Sequence, residues 1–552
     1  MRGTPYTIEI AGSDPISFIF EKLAHQASAS VIVKQGETVV HVAATAGEME
    51  RPELDFVPLT VDYEERFYAR GAILGSRFVR REGKPSDEAI LTARAIDRAI
   101  RPLFPHTLRR DIQVVALTLA LDEKHEPGLL ALLGASLALA TSPIPWNGPL
   151  YATRLAKKGT AWITDPSYQE SGAFDAELLI AGTDAGISMI EAEGKEFSEA
   201  DLEEALGMAE KIGASELAAL AKIIEKEKQK KCVLADETYP SSLAALYTQK
   251  YASSIDRILQ QQKEPLLQKT ALSEARKSFL AEARTTIKGG EGVRASSLWE
   301  ESLENAFEKL VGSGHRVDGR RNNELRTLSA EAGGFSTVLH GSGTFYRGDT
   351  HVATFLTLGS DLDSLTTSGM EVSGEQHFIH QYNFPPYAGG ETGRLAPNRR
   401  AIGHGALAEK ALRAVLPPRA AFPRTIRLVS EVFASNGSTS MASVCAGSVA
   451  LENGQVPITR PVAGIAMGLA TQADGTTLVL TDIQGIEDHY GEMDYKVAGT
   501  GQGITALQLD IKRRGVPKSM IIAATRQARI AHSEIIPILV QAGKTRSDAK
   551  RK

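Results

Sequence analysis

Three consecutive hydroxyl side chains follow the turn Asn436-Gly437, at a position where the sequence predicts the start of a helix. These residues, Ser438, Thr439 and Ser440, are called the hydroxyl cluster below. A helix N-terminus offers free backbone N–H groups and the positive end of the helix dipole, so hydroxyls there can help to bind an anion such as phosphate. Ser and Thr are also the commonest ordinary N-caps. The cluster is therefore a candidate phosphate site that needs support from elsewhere.

A second candidate group, carboxylates with one lysine, lies nearer the C-terminus. If Glu492 to Val497 form a strand, Glu492, Asp494 and Lys496 project from one face, and Asp488 reaches them from the preceding loop. Carboxylates grouped in this way suit a hard divalent cation whose shell is completed by water and phosphate oxygens, and Lys496 can balance charge on those oxygens. The competing explanation is a charged strand face in contact with water. Asp488, Asp494 and Lys496 are called the acidic cluster.

Two adjacent arginines, Arg399 and Arg400, precede His404 at a further predicted helix start. Guanidinium groups bind phosphodiester oxygens through paired hydrogen bonds, and a histidine near a helix N-terminus can donate to an anion. Surface arginines are usually solvated and isolated histidines are usually structural. These three residues therefore support a reaction at phosphate only together with the hydroxyl cluster and the acidic cluster.

A loop in the first part of the chain combines an aromatic ring with three cations. Phe78, Arg80, Arg81 and Lys84, called the cationic loop, precede a predicted helix. Such a composition can stack a base and bind the backbone of a single nucleic-acid strand. By itself the loop is weak support for nucleic-acid binding.

The elements that must position these residues occur twice in the chain. Three short segments recur in the same order: Val33–Val40 as Tyr346–Val352 with a one-residue slip, Ile112–Val115 as Ile426–Val429, and Ala181–Thr183 as Ala498–Thr500. The last two matches have offsets of 314 and 317. Each copy has alternating strands, a Gly-centred turn and an apolar helix, at Gly128–Ala140 and at Ser440–Leu451. This pattern predicts a duplicated α+β domain.

The two copies differ where the candidate chemistry lies. At an offset of 314 the first copy has Lys124-His125-Glu126 in place of the hydroxyl cluster. At an offset of 317 it has Glu177 and Leu179 in place of Asp494 and Lys496. The sequence therefore predicts that the second copy carries the chemistry and that the first is catalytically degenerate.

Between the copies the composition changes to Ala, Leu, Glu, Lys and Gln. Helix-forming stretches run from Asp201 to Lys231 and from Ser241 to Arg284, and Ser198 with Asp201 has the pattern of a capping box. We therefore divide the chain into a first copy at residues 1–200, a helical linker domain at 201–310, a second copy at 311–545 and a charged tail at 546–552.

The composition excludes several classes of protein. The 552 residues include 62 Lys and Arg against 67 Asp and Glu, for a net charge of −5, and 42% are hydrophobic, which is ordinary for a globular protein. Two cysteines, Cys232 and Cys445, do not make a disulfide framework, and the apolar run from Gly128 to Ala140 is too short to span a bilayer. The N-terminus lacks the pattern of a signal peptide. We expect a cytoplasmic protein without a membrane partner.

Taken together, these residues resemble the catalytic core of the polynucleotide phosphorylase family, in the RNase PH-like superfamily. Six segments in both copies carry the resemblance: Phe78–Pro105, Arg316–Arg320, His340–Ser342, Tyr382–Tyr387, Asn436–Ser443 and Asp488–Gly499. The resemblance implies an α+β fold of two tandem RNase PH-like domains, with mixed β-sheets and packed helices, joined by an all-helical domain. It also implies a homotrimeric ring with RNA in a central channel, and possible association with RNA-degradosome components.

The activity that the resemblance implies is 3′-to-5′ phosphorolysis of single-stranded RNA in mRNA turnover. Inorganic phosphate is the co-substrate, nucleoside 5′-diphosphates are the products, and template-independent polymerisation is the reverse reaction. By match, the hydroxyl cluster with His404 resembles the phosphate-binding site, and Arg399 and Arg400 resemble the residues that hold the RNA backbone beside the scissile bond.

The acidic cluster resembles the catalytic centre of the family, with Asp488 and Asp494 as ligands of Mg²⁺ or of Mn²⁺ in its place. The sequence leaves open whether Asp494 only binds metal or also helps to protonate the leaving 3′ oxygen. The cationic loop resembles the loop that lines the path of RNA into the channel.

Family members generally continue into a KH domain and an OB-fold domain, whereas this sequence ends at Lys552. We therefore expect weaker RNA binding and lower processivity, with the chemistry intact. Two alternatives stay open. A tRNA-trimming nuclease similar to single-domain RNase PH is disfavoured by the duplicated layout, and a catalytically silent RNA-binding scaffold ring is disfavoured by the intact hydroxyl and acidic clusters.

Overall fold

The computed structural model describes residues 5–20, 23–73, 80–170, 172–234, 239–287, 294–371, 373–472 and 475–544. The first part of the chain forms an α+β unit. Its elements, in chain order, are β1 (Tyr6–Ile8), β2 (Ile16–Phe20), β3 (Ala29–Gln35), β4 (Thr38–Glu50), β5 (Leu59–Glu64), α1 (Asp87–Ile100), β6 (Arg110–Ala120), α2 (Pro127–Thr141), β7 (Tyr151–Lys158), β8 (Ala161–Thr164), β9 (Ala176–Thr183), β10 (Gly186–Phe197) and α3 (Glu199–Glu227).

A group of helices and a second α+β unit follow. The helices are α4 (Ser241–Lys250), α5 (Ala252–Gln261), α6 (Pro265–Thr286) and α7 (Ala295–Gly312). The second unit consists of β11 (Leu328–Ala332), β12 (Gly341–Arg347), β13 (Thr350–Gly359), β14 (Leu365–Ser368), β15 (Ser373–Gln376), β16 (Phe378–Asn383), α8 (Arg399–Arg413), β17 (Thr425–Ala434), α9 (Thr439–Asn453), β18 (Ala463–Thr471), β19 (Thr477–Thr481), α10 (Gly485–Tyr490), β20 (Met493–Gly499), β21 (Ile504–Ile511) and α11 (Lys518–Gly543).

The predicted duplication is confirmed by the topology. The sheet order β2-β3-β4-β6-β5 in the first unit recurs as β11-β12-β13-β17-β16 in the second, and the last pair of strands is parallel in both. The one-residue slip predicted between the first pair of repeated segments is wrong. Gln35 and Arg347 end the equivalent strands β3 and β12, each before a glycine with positive φ, so the two segments align without a gap. Likewise, Glu126 and Ser438 are the N-caps of equivalent helices, so the offset there is 312 rather than 314.

A shared sheet joins the two units. β10 and β21 pair antiparallel, with Met189 opposite Asp510 and Glu191 opposite Gln508. In the described residues this pairing makes one continuous sheet in the order β19-β18-β20-β21-β10-β9-β7-β8. The site-bearing strands of the second unit therefore lie at the centre of a sheet to which both units contribute.

The two apolar helices form the core of each unit, as their composition predicts. Every residue of α2 is buried, and α9 is buried at all but one position. Each packs against both sheets of its unit: α2 against β3, β4 and β7, and α9 against β12, β13 and β18. A helix enclosed in this way has a fixed N-terminus, which is why residues placed there can form a rigid site.

The helical middle begins later than the sequence suggests. α3 starts with the predicted capping box of Ser198 and Asp201, but it packs on β7 and β9 and contacts α11, its counterpart in the second unit. We therefore assign α3 to the first unit. The stretch predicted after Pro240 contains α4, α5 and α6, which share a core with α7 around Phe279 and Trp299. None of the helices in the described ranges has the length and apolar character needed to cross a membrane.

Candidate active site

The hydroxyl cluster lies at the N-terminus of α9. Its first member, Ser438, adopts a left-handed backbone conformation with φ 44° and ψ 56°, which is unfavourable for a residue other than glycine and is found preferentially at functional sites. Thr350 holds the preceding turn, because its hydroxyl accepts from the N–H of Asn436 at 2.9 Å and donates to the carbonyl of Gly437 at 3.0 Å. A Cβ atom on Gly437 would lie 2.7 Å from the carbonyl oxygen of Ile483, so the turn requires glycine.

Two hydroxyls of the cluster are poised for a ligand. The Oγ atoms of Ser438 and Ser440 are buried, and neither has a hydrogen-bond partner among the residues that the structure describes. Buried polar atoms are nearly always paired, so two orphaned hydroxyls at a helix N-terminus fit an anion that would complete them. Thr439 differs, because its Oγ1 lies 2.6 Å from the hydroxyl of Tyr382.

His404 extends this region from α8. Its ring centroid lies 5.2 Å from that of Tyr382, and its Nδ1 is buried without a partner in the described part of the chain. Burial, followed by the positive charges of Arg400, Lys496 and Arg94, lowers the pKa of His404 well below its ordinary value. The imidazole is therefore neutral and offers a single N–H donor.

Two residues of the acidic cluster meet on β20. Asp494 and Lys496 lie on one face of the strand and form a direct ion pair. β20 begins at Met493, one residue after Glu492, and the Glu492 carboxylate forms an ion pair with Arg513. The strand therefore starts one residue later than the sequence predicts, and the alternation of Asp494 and Lys496 holds.

Asp488 approaches Asp494 from α10. Burial and the charge of Asp494 raise the pKa of Asp488, and the neighbouring Lys496, Lys512 and Arg400 oppose that rise. No group of three or more His, Cys, Asp or Glu side chains in the described ranges is arranged to hold a metal ion. Mg²⁺ commonly uses only one or two carboxylates and completes its shell with water and substrate phosphates, so the Asp488–Asp494 pair fits it.

A third carboxylate, Asp510, was missed by the sequence reasoning. It lies directly opposite Asp494 in the pairing of β20 with β21, and burial is the main cause of its raised pKa. The polar alternation of Gln508 and Asp510 along β21, continued by Lys512 just after the strand, was the available signal, because alternate residues of a strand lie on one face.

Two arginines of the first unit were also missed. Arg98 of α1 forms an ion pair with Glu191 on β10, and its charge acts on Asp510 and Asp494. Arg94 passes so close to α8 that a Cβ on Gly403 would lie 2.4 Å from its Nε atom. No local pattern could reveal this, because α1 reaches the site only through the packing of one unit on the other.

Comparison with known proteins is consistent with this arrangement. Residues 14–145 and 324–457 match the RNase PH family described as "3′ exoribonuclease family, domain 1". The polyribonucleotide nucleotidyltransferase of Prochlorococcus marinus is 40% identical over 98% of this chain and 76% of its own length. Those of Synechococcus elongatus and Thermosynechococcus vestitus are 42% and 41% identical, over 94% and 97% of this chain and 74% and 76% of their own.

The chain belongs to the polyribonucleotide nucleotidyltransferase family. This is the polynucleotide phosphorylase family that the six segments indicate, so the resemblance is confirmed. A polyribonucleotide nucleotidyltransferase is a phosphorolytic 3′-to-5′ exoribonuclease, and that is the enzyme class of this chain.

The two predicted RNA-backbone arginines have different surroundings. Arg399 donates to the carbonyl oxygen of Val61 at 2.5 Å and forms an ion pair with Asp62, both on β5 of the first unit. Arg400 lies 5.8 Å above the ring of Phe384, and its charge acts on the acidic cluster and on His404. The structure therefore brings Arg400 to the site, whereas Arg399 is bound to the first unit.

Only part of the cationic loop lies within the described residues. Phe78 lies outside the described residues. Arg80, Arg81 and Lys84 are exposed, in the segment that leads to Ser86, the N-cap of α1. Because α1 also carries Arg94 and Arg98, the loop and the site are joined by one helix.

Proposed function

We propose that the second unit holds the active site for 3′-to-5′ phosphorolysis of single-stranded RNA. The observation that carries this proposal is the pair of orphaned, buried hydroxyls of Ser438 and Ser440 at the start of α9. Tyr382 links this helix start to His404, and the charges of Arg400 and Lys496 act on His404 in turn. The anion site would hold the attacking phosphate, and the neighbouring carboxylate pair would hold a cation at the phosphodiester.

The reaction is an exchange at the phosphorus of the 3′-terminal phosphodiester. An oxygen of inorganic phosphate forms a bond to this phosphorus, and the bond to the 3′ oxygen of the preceding nucleotide breaks. That oxygen takes a proton, and the terminal nucleotide leaves as a 5′-diphosphate. The reverse reaction lengthens the RNA without a template.

The main obstacle to this reaction is the approach of two anions, so the residues act chiefly by neutralisation and alignment. The helix N-terminus and the hydroxyl cluster, with His404, would hold the attacking phosphate. Arg400 would hold the RNA backbone, with Arg399 beside it, and Lys496 would balance the charge on the reacting oxygens. Asp494 lies where it could bind metal or help to protonate the leaving oxygen.

Asp488 and Asp494 would hold Mg²⁺, or Mn²⁺ in its place. When bound, the cation would neutralise charge that develops on the transferred phosphoryl group. The arginines Arg94 and Arg98 add positive charge from the first unit.

Membership of the family supports three further proposals. The chain assembles as a homotrimer whose central channel receives RNA past the cationic loop, and it acts in mRNA turnover in the cytoplasm. The free state of Cys232 and Cys445 is compatible with a reducing compartment. Association with RNA-degradosome components stays a prediction.

The test is incubation of the purified chain with single-stranded RNA and Mg²⁺, with and without inorganic phosphate, while nucleoside diphosphates are measured. We expect diphosphates only with phosphate, and none from Asp494→Asn. Monophosphates released without phosphate would indicate a hydrolase. RNA binding without turnover would favour the silent scaffold ring, and turnover restricted to tRNA 3′ ends would favour an RNase PH-like trimming enzyme.

A further inference from the structure

Asp488 lies on a helix that is too short to be stable by itself. α10 has six residues, whereas isolated helices shorter than about 12 residues are marginal in water. The position of Asp488 relative to Asp494 must therefore be set by contacts between α10 and the rest of the molecule. Some of these contacts are hydrogen bonds, from the N–H of Gly485 to Oδ1 of Asn436 at 3.0 Å and from Nζ of Lys512 to the carbonyl oxygen of Asp488 at 2.9 Å.

A fully buried contact is made by Glu487, the residue before Asp488. Its carboxylate accepts from Nε of Arg316 at 2.7 Å and from a second N–H of the same guanidinium, and both side chains are 0% exposed. It also accepts the backbone N–H of Gln484 at 3.0 Å, which closes the capping box of α10. The guanidinium further donates to the carbonyl oxygens of Thr481 at 2.7 Å and Asp482 at 3.2 Å. One buried fork thus joins α10 to the end of β19.

This arrangement has the properties of a rigid support. A bidentate guanidinium–carboxylate pair fixes both distance and orientation, and water does not compete for it in a fully buried position. Arg316 follows α7, so the fork also ties the helical region to the second unit. Removing Arg316 would leave the buried carboxylate of Glu487 with only the more distant guanidinium of Arg320, at 3.8 Å, which is a costly loss for a buried charge.

Among the described residues of the first unit, the equivalent place has no such fork. Asp165 and Asp482 are equivalent, and both have positive φ. Asp482 and Asp165 are 317 residues apart in the chain, and at this offset the counterpart of Glu487 is Glu170, which is exposed. The buried carboxylate is therefore present in the unit that carries the acidic cluster and absent from the equivalent place in the other.

We propose that Arg316 is a positioning residue for the metal-binding pair. Through Glu487 it holds α10 so that Asp488 stays at the separation from Asp494 that a divalent cation requires. Arg316 itself contacts neither substrate nor metal. The inference rests on the proposed function only in assigning Asp488 and Asp494 to the metal.

The test uses Arg316→Lys, which keeps the charge but not the fork, and the double variant Arg316→Met/Glu487→Gln. The double variant removes both charges, and its new amide keeps an acceptor for the N–H of Gln484, so it avoids an unpaired buried charge. The matched control is Arg154→Met, because Arg154 is also a buried arginine that binds two carboxylates, Glu126 and Glu177.

Three quantities are measured on the full chain: Mn²⁺ affinity without RNA by titration calorimetry, hydrogen exchange of the α10 amides, and KM for phosphate. We expect about tenfold weaker Mn²⁺ binding in both Arg316 variants, which is typical when the support of a metal ligand is lost. We also expect faster exchange in α10 and an unchanged KM for phosphate. Arg154→Met should leave Mn²⁺ affinity and α10 exchange unchanged.

Wild-type Mn²⁺ affinity in the folded double variant would overturn the proposal. An equal loss of Mn²⁺ affinity in Arg154→Met would also overturn it, because the effect would then reflect general destabilisation. Failure of the proposed function is a separate result, since an unmutated chain that releases no diphosphates can still be compared with its variants in Mn²⁺ binding and hydrogen exchange.

Discussion

The two units differ at the N-terminus of their buried helix, where the first unit has ion pairs and the second has unpaired hydroxyls among the described residues. At the start of α2, Glu126 stands where Ser438 starts α9, and Arg154 binds both Glu126, at 3.1 Å, and Glu177, at 2.6 Å. In the second unit the residue equivalent to Arg154 is Ala466, and the hydroxyls of Ser438 and Ser440 have no partner among the described residues. The candidate site of the second unit thus differs from the equivalent place in the first unit by two buried hydroxyls without a partner in the described part of the chain.

The first unit still contributes to the second. Arg98 of α1 acts on Asp510 of the second unit, and its equivalent on α8, Lys410, lies 3.6 Å from Glu193 of the first unit. Glu193 and Asp510 occupy equivalent strand positions. A cationic helix of each unit therefore contacts the other unit, and the one that carries Arg98 reaches the acidic cluster.

The largest expected effect comes from Asp494→Asn compared with Glu177→Gln, its counterpart in the first unit. We expect Asp494→Asn to lower phosphorolysis by about 10³-fold or more, because it removes a reacting or metal-binding carboxylate. Glu177→Gln should keep activity near that of the wild type. Diphosphate release per unit time measures both, and an equal loss in the two variants would contradict the assignment of the chemistry to the second unit.

Ser440→Ala tests the anion site. Loss of a hydrogen bond to a charged group costs about 1.5–3 kcal/mol, so kcat/KM for phosphate should fall by about 10- to 100-fold. Ser448→Ala is the matched control, since Ser448 is a buried hydroxyl in the same helix whose partners are the backbone groups of Val462. That variant should lose stability but keep its KM for phosphate, and a similar change of KM in both would speak against the phosphate site.

Arg98→Met and Lys410→Met compare the two cationic helices that contact the other unit. We expect about a tenfold lower kcat/KM for RNA in Arg98→Met, because one partly desolvated charge near the reacting phosphate is lost. Lys410→Met should leave this constant unchanged. Melting temperatures of both variants control for stability, and equal kinetics in the two would show that the first unit adds nothing to the site.

The smallest effect concerns Glu216 on α3, whose counterpart on α11 is Ile535. Glu216 is 2% exposed, and burial raises its pKa to about 8. The unfolded chain releases the proton near pH 4.3, so unfolding releases a proton between about pH 4.3 and about pH 8, and stability falls as the pH rises through this window. Between these two pH values the melting temperature of Glu216→Gln should therefore fall by a few degrees less than that of the wild type.

Glu225→Gln on the exposed side of α3 is the control for that measurement, since the Glu225 side chain is 74% exposed. Its melting temperature should follow that of the wild type at each pH. A wild-type pH dependence in Glu216→Gln would mean that Glu216 does not carry the effect.

Much of the site followed from local pattern. The alternation Asp494-x-Lys496 predicts one strand face, and three hydroxyls after Asn436-Gly437 predict a helix start, because both depend only on the geometry of one element. The pattern placed the start of β20 one residue too early, at Glu492, and it did not predict that Arg399 binds Asp62. The end of a strand and the partner of a charged side chain both depend on neighbouring elements, and those elements come from distant parts of the chain.

The amino-acid sequence by itself determined the α+β class, the duplication and the unit that keeps a hydroxyl cluster beside an Asp-x-Lys pair. These follow from residue types and their period along the chain. Only the tertiary structure decided that Asp510 faces Asp494, that Arg94 and Arg98 cross from the first unit, and that Arg316 supports α10 through Glu487. Such contacts join residues far apart in the chain, and they form because burial forces each charge to find a partner wherever packing brings one within reach.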